Sequence, residues 1–370
     1  MKPIGSCFAV GFRLAACSAT ARRTFVSEVK KSKPKMSLLD SIKPNDRSGI
    51  LSAVEKDSHG FPSYITLKDS SPILSQAIMA VKNKKMRQKN AYILVEGKRL
   101  IQDALNAGVK PKQIFFSQKR VLEQLCLPEK LRDLSVSDTI FYHTPYKMIQ
   151  LFSDIETSQG IMGIFETPVF DFRARKNAFP ITVICDNIRD PGNLGAVLRT
   201  VTAVGISQII LMKGCTDLWG SKVLRAGCGA HFRMKIISNV SWNKLENFKG
   251  LVCLADNNEY NNSDPSNISD KEINVFRKTA SIKLPIVPYY EVDYCKTTPL
   301  ILVIGGETHG LSKEGYEFAS THHGIRLNIP LLNGIESLNS ATAIGILCYE
   351  ARKQMLNLIR CPEETDEIEN

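Results

Sequence analysis

Three short stretches of this 370-residue chain carry side chains able to bind or to react. DNIRDPGNLGAVLRT (186–200) begins with an Asp-Pro-Gly turn. Asn193, a good helix-capping residue, follows, and Arg199 comes six residues later. IGGETHGLS (304–312) sets Glu307 among three glycines. Glycine lets a main chain approach a ligand closely or take positive φ. IPLLNGIESLNSATAIGILCYEA (329–351) brings Ser337, Asn339 and Ser340 together at the expected start of a helix, with their donors and acceptors at one mouth. An arginine, a carboxylate and a set of amides and hydroxyls can grip an anion and hold a polar substrate. They are not a nucleotide-binding loop, since neither G-x-x-x-x-G-K-[ST] nor G-x-G-x-x-G occurs. Each stretch also has a plain structural reading: a capped helix with a surface arginine, a flexible loop, and a helix start.

The elements that must position these groups form a regular alternation. ITVIC (181–185), ISQIILM (206–212), MKII (234–237), LVCLA (251–255), LILVI (300–304) and IRLNI (325–329) are continuous apolar runs. Such runs suit strands covered on both faces. Helical patterns over 193–204, 218–227, 242–249, 312–319 and 338–357 separate them, which predicts a parallel sheet with helices on both faces. In that architecture ligands bind beyond the carboxyl ends of the strands, where all three stretches fall. On the last helix Leu338, Ala341, Gly345 and Cys348 share one face, and its small residues allow close packing. Residues 256–299 read as a surface insertion, rich at first in Asn, Ser and Asp.

A smaller α/β unit is expected over 76–166. AYILVEG (91–97), QIFFS (113–117) and IFYHT (140–144) read as strands. Residues 98–107 read as a helix closed by Gly108. It opens with Lys82, Lys84, Lys85, Arg87 and Lys89. Such a run commonly marks a solvated helix face, but five cations with only Glu96 nearby point to phosphate contact.

The whole chain is 43% hydrophobic and 23% charged, which excludes a disordered or fibrous protein. No apolar run is long enough to span a membrane. The ten cysteines show no C-x-x-C spacing, so they read as free thiols rather than a zinc or redox site. The first 36 residues hold eight cations against Glu28, a net +7, and the last nine a net −5. The total of +11 therefore leaves +9 for 37–361, enough to favour an anionic partner. An N-terminus that bears Arg and Ser and lacks acids before Glu28 reads as a mitochondrial transit peptide. Residues 37–75 read as a linker or extension, and 358–370 as an acidic tail.

Taken together, NLGAVLRT, IGGETHGLS and IP…ESLNSATAIGILCYEA resemble motifs one, two and three of the SpoU (TrmH) family of SPOUT-superfamily RNA ribose methyltransferases. The match covers about 180–357, supported by the small-residue stretch RAGCGAHFR (225–233). AYILVEGKRLIQDALNAG (91–108) and TSQGIMGIF (157–165) resemble the family's L30e-like substrate-binding domain. The resemblance implies an α/β fold with a deep trefoil knot, which pattern reasoning alone would reject. It implies S-adenosylmethionine held by Gly305 and the loop after it, Ile329 and Leu338, and a homodimer joined near the knot. With the N-terminal address, the expected location is the mitochondrial matrix. The expected substrate is large-subunit ribosomal RNA, or the large ribosomal subunit precursor that contains it, with guanosine ribose favoured.

By motif matching, Arg199 corresponds to the arginine for which the family proposes a role in proton transfer. A guanidinium is a costly base, so anchoring the RNA phosphate and polarising the hydroxyl is the preferred role. Asn193 is expected to orient the substrate or Arg199. Glu307 is expected to position Arg199 or the hydroxyl, and Ser337 and Asn339 to fix the ribose or cofactor end of the pocket. Helix capping remains the plain alternative for Asn193 and Ser337. Rival functions are an inactive RNA-binding assembly factor, a tRNA ribose methyltransferase of the same family, and a base methyltransferase of the wider superfamily.

Overall fold

The computed structural model describes residues 54–55, 62–69, 71–128, 138–168, 178–257, 282–296, 298–307 and 310–360. The expected transit peptide, 258–281 of the insertion and the tail from 361 lie outside the described residues.

The first part runs β1 (Val54–Glu55), β2 (Tyr64–Thr66), α1 (Ile73–Met79), α2 (Lys84–Asn90), β3 (Tyr92–Glu96), α3 (Lys98–Asn106), β4 (Pro111–Phe116), α4 (Lys119–Glu123), β5 (Ile140–His143), α5 (Tyr146–Phe152) and β6 (Ile161–Glu166). Its sheet has the order β1-β2-β5-β4-β6-β3. Asn83 caps α2 by accepting from the Met86 N–H, and Ala91 ends it in the left-handed conformation. α3 buries Leu100, Ile101, Ala104 and Leu105 against the sheet, and Gly108, at φ +75°, turns the chain after it. Within the expected linker or extension, 37–75, residues 62–69 and 71–75 pack into the first part. β2 pairs with β5 in parallel, and Tyr64, Ile65, Leu67 and Leu74 are buried in the first part's cores. Scattered Pro, Ser and Asp hid this three-residue strand, which is fixed by its neighbours rather than by its own periodicity.

The second part runs β7 (Phe179–Asp186), α6 (Pro191–Val204), β8 (Ile206–Met212), α7 (Ser221–Gly227), β9 (Lys235–Val240), β10 (Leu251–Ala255), β11 (Ile286–Pro288), β12 (Leu300–Gly305), α8 (Lys313–Thr321), β13 (Ile325–Asn328) and α9 (Ser340–Arg360). Its strands pair in parallel, in the order β11-β13-β10-β12-β7-β8-β9. Alternate residues enter two cores. Val183, Leu211 and Leu302 face α6 and α9. Ile184, Ile210 and Val303 face α8. This double burial is why the strands read as unbroken apolar runs.

Two expectations are corrected here. Residues 242–249 hold only the short 3₁₀ turn Trp242–Lys244. Leu245 and Phe248 are their main apolar contribution to the core, too little to need a helix. The insertion also returns to the sheet as the edge strand β11, paired with β13.

The two sheets meet along the segment 217–233. Arg87 forms an ion pair with Asp217, and Arg233 with Asp103. Leu224 and Phe232 are buried in the first sheet's core. Gly229, at φ +80°, lies so close to Asp103 that a Cβ would stand 2.3 Å from the carboxylate. Arg87 is therefore withdrawn from the expected phosphate-binding cluster, because its partner, Asp217, lies 130 residues away in sequence. Lys82, Lys84, Lys85 and Lys89 remain exposed.

Candidate active site

β7 and β12 are neighbours in register, with Gly305 opposite Asp186, so the loops leaving their carboxyl ends must meet. After β7 the chain turns through Asn187, at φ +55°, and enters α6. The cap of α6 is Asp190, whose carboxylate accepts from the Asn193 N–H at 2.7 Å, with Pro191 in the first turn. Asn193 is therefore not the cap, and its side chain is left to bond across the site.

That bond comes from α9. Nδ2 of Asn339 donates to Oδ1 of Asn193 at 2.9 Å and to Oε1 of Glu307 at 2.6 Å. Its Oδ1 accepts from the Ala341 N–H at 2.9 Å, which places the start of α9 at Ser340. Ser337 lies in the loop before the helix, exposed and outside the capping role. Ser340 is buried, and its hydroxyl donates to the Gly305 carbonyl at 2.9 Å. One amide thus joins all three motifs. The glycines let the loops close. A Cβ on Gly305 would lie 2.5 Å from the Gly310 carbonyl carbon, and one on Gly306 2.5 Å from the Asn187 oxygen.

Asp186, which the sequence reading passed over, holds the Glu307 loop at both ends. Its main-chain oxygen accepts from the Gly306 N–H at 3.1 Å, and its carboxylate accepts from the Ser312 N–H at 2.6 Å. Burial raises its carboxyl above the usual range, and the bonds from Ser312 oppose the rise. The available signal was an acid ending an apolar strand.

Arg199 does not join this hub, and Glu307 bonds Asn339 rather than Arg199. Six residues of α-helix advance about 9 Å and turn about 240°, so Asn193 and Arg199 point in different directions. Arg199 is exposed, and its guanidinium lies 3.6 Å from Sγ of Cys228 at the end of α7. α6 and α7 cross tightly there. A Cβ on Gly195 would come within 2.4 Å of the Ala226 methyl and 2.9 Å of the Gly227 nitrogen. The small residues of RAGCGAHFR make that approach possible.

Beside the hub a cleft of about 170 Å³ is lined by Gly305, Glu307, Ile329, Ser337 and Leu338. Asn257 shapes its wall, bonding both main-chain groups of Ile329 at 2.8 Å. Asp256 also lines the cleft, and accepts from the Tyr316 hydroxyl at 2.5 Å and from Nε of Arg326 at 2.9 Å. Asn257 and Asp256 had been read as the start of an insertion. They close a long-range contact that no local spacing announces.

Comparison with known proteins follows the same division. Residues 180–349 match the SpoU rRNA Methylase family, and 76–163 match the MRM3-like substrate binding domain. The human protein named rRNA methyltransferase 3, mitochondrial, is 39% identical over 310 residues, covering 76% of this chain and 72% of the human one. The 23S rRNA (guanosine(2553)-2'-O)-methyltransferase RlmP of Bacillus subtilis is 24% identical over 269 residues, covering 73% and 92%. Among crystal structures, the AdoMet-bound rRNA methyltransferase from Sinorhizobium meliloti superposes with a TM-score of 0.60 at 26% identity, covering 78% of this chain and 98% of that one. The sheet order, the joined motifs and these relatives agree, and the chain belongs to the SpoU rRNA methylase family.

Proposed function

We propose that this protein methylates the ribose 2′-hydroxyl of mitochondrial large-subunit ribosomal RNA. It is an RNA 2′-O-methyltransferase that uses S-adenosylmethionine. The Asn193–Asn339–Glu307 hub at the mouth of the cleft carries the reading of the site. Aliphatic side chains and main chain line the cleft, and a carboxylate stands at its mouth. That combination suits a cofactor with a flat purine at one end and a cationic centre at the other. Gly305, Ile329 and Leu338 would hold it, with Asn257 fixing the Ile329 main chain. The cofactor supplies an electrophilic methyl group whose departure leaves a neutral sulfide, so no metal is needed for the transfer.

The chain's own residues align the ribose oxygen and help the hydroxyl release its proton. Asn339 orients the ribose, held by Glu307 on one side and Asn193 on the other. Ser337 stands at the cleft's rim to fix the ribose or cofactor end. Arg199 stands apart from the hub, exposed. That position suits a cation gripping the phosphate beside the target and polarising the hydroxyl, rather than a base. Residues 76–166 act as the RNA-binding domain and 180–357 as the transferase. Lys82, Lys84, Lys85 and Lys89 offer phosphate contacts.

The mitochondrial names of the relatives at 37–39% identity and the basic N-terminus support a matrix location. Guanosine as the methylated nucleotide, and a role in ribosome assembly, extend this reading; RlmP is named for a guanosine. A homodimer through α9 is supported by the exposed Tyr349, Leu358 and Ile359, and the strand order suits the family's knotted crossing.

A map of 2′-O-methylation across mitochondrial ribosomal RNA, with and without the protein, tests the proposal. One large-subunit ribose that depends on the protein is expected. If the cofactor-loaded protein methylates no such transcript, an RNA-binding assembly factor replaces the reading. A methyl group found on a base by nucleoside mass spectrometry would move it to another branch.

A further inference from the structure

A second cavity, of about 200 Å³, lies where the two sheets meet. Leu211, Met212, Leu218 and Trp219 line it, and α2 supplies one wall. Lys84, Arg87 and Gln88, spaced i, i+3, i+4, share the α2 face that lines it. Thr216, Ser238 and Asn239 add hydrogen-bonding groups from the carboxyl ends of β8 and β9. The volume is small beside the ~300–1,000 Å³ of sites for drug-sized ligands, which limits an occupant to about one ring system.

Arg87 braces this cavity. Its Nη1 donates to the Val81 carbonyl at 2.6 Å, and its Nη2 is paired with Asp217. Both ends of the guanidinium are thus fixed. Among the described residues, the buried Nε has no acceptor. That Nε is enclosed, so Arg87 is a fixed part of the cavity wall rather than a contact for an incoming group.

The cavity also lies beside the proposed active site. The turn after β7 separates the two. On one side the Asn187 oxygen abuts Gly306 of the cofactor cleft, and on the other the Ile188 carbonyl accepts from the Thr216 N–H at 2.9 Å. β8 and β9 are the next strands beyond β7, so the cavity stands about 5–10 Å from the end of β7.

We propose that this cavity receives one unstacked base of the substrate RNA, flanking the nucleotide whose ribose is methylated. The inference rests on the proposed RNA substrate and adds a specificity subsite to it. Single-stranded bases are recognised by packing their faces on apolar or aromatic side chains and bonding their edges. Here Leu218 and Trp219 form the apolar floor. Gln88 and Asn239 face the base edge. Lys84, exposed at the rim, meets the adjoining phosphate.

The test uses the full-length protein and a transcript of mitochondrial large-subunit ribosomal RNA. Ser238 and Gln88 are exposed at the rim, so Ser238→Trp closes the cavity and Gln88→Ala removes an edge contact without disturbing a core. Fluorescence anisotropy gives the Kd for the transcript, and steady-state methylation gives kcat and both KM values. Ser238→Trp should raise Kd and KM for RNA about tenfold, the scale of one base contact, with kcat and the cofactor KM little changed. An abasic nucleotide beside the methylated position should weaken wild-type binding by a similar factor and leave Ser238→Trp unaffected, because the two changes remove one contact. Gln88→Ala should relax the preference for one base at that position. Equal RNA Kd values for wild type and Ser238→Trp, or equal losses from the abasic change in both, would overturn the subsite. Wild type that binds the transcript without methylating any RNA would instead overturn the proposed function, and the Kd comparison would still judge the cavity.

Discussion

The two clefts flanking the β7–α6 turn are built from different materials. The proposed cofactor cleft has Gly305, Gly306 and Gly310 among its walls, and side-chain bonds from Asp186, Asn257 and Ser340 hold its main chain in place. The junction cavity is walled by side chains from both sheets, gathered by the Arg87–Asp217 ion pair. Main-chain walls suit a ligand that never changes, because their hydrogen-bonding pattern does not depend on which side chains the sequence carries. Side-chain walls can be altered residue by residue, which suits a part of the substrate that differs between relatives.

The predictions test this contrast, beginning with the largest effect. Arg199→Ala should abolish measurable methyl transfer, a loss of at least about 10²–10³ in kcat, with the melting temperature unchanged because the side chain is exposed. An unaffected rate would remove Arg199 from the mechanism. Asn339→Ala should lower kcat about 10²-fold, since it cuts the bonds joining three motifs. A normal kcat would show the hub to be only a helix cap.

Asn257→Ala should act on the main-chain cleft alone. It should raise the cofactor KM about tenfold and leave the RNA Kd unchanged, by loosening the Ile329 wall. A change in RNA Kd would mean that the two clefts are not separable.

The smallest effect concerns acid. His231 is buried beneath the junction loop, with one ring nitrogen 3.0 Å from the Leu218 carbonyl. That contact makes Nε2 the donor, while buried Nδ1 has no partner among the described residues. Burial pushes its pKa down from 6.5 to about 4. The unfolded chain therefore binds the proton more readily. The associated stability is fully present above about pH 6.5 and is lost as the pH falls towards 4. Melting temperatures of the wild type should decline across that window, and those of His231→Gln should decline less. Parallel curves would assign the acid sensitivity elsewhere.

Much of the second sheet was legible in advance, for a physical reason. Strands covered on both faces must be apolar throughout, and LVCLA and ISQIILM coincide with β10 and β8. β2 and β11 were missed because a strand of three residues takes its stability from its neighbours and leaves little pattern of its own. Among the functional residues, the three motifs were legible as types and spacings, while their pairing was not. Glu307 was expected to position Arg199 or the hydroxyl, and Asn193 to orient the substrate or Arg199, with helix capping as its plain alternative. Asp190 caps α6 instead, and Asn339 takes both Glu307 and Asn193. The basic run was legible as charge, but Arg87 left it for an acid 130 residues away.

By itself, then, the sequence determined the alternation of elements, the carboxyl-end location of the site and the identity of its polar groups. Each of these follows from local periodicity, chain polarity and residue chemistry. The tertiary structure alone decided which amide faces which carboxylate, that Asn257 and Asp186 shape the cleft and loop, and that the two sheets enclose a second cavity. Those outcomes depend on contacts between residues tens to more than a hundred positions apart, and packing, not spacing, brings such residues together.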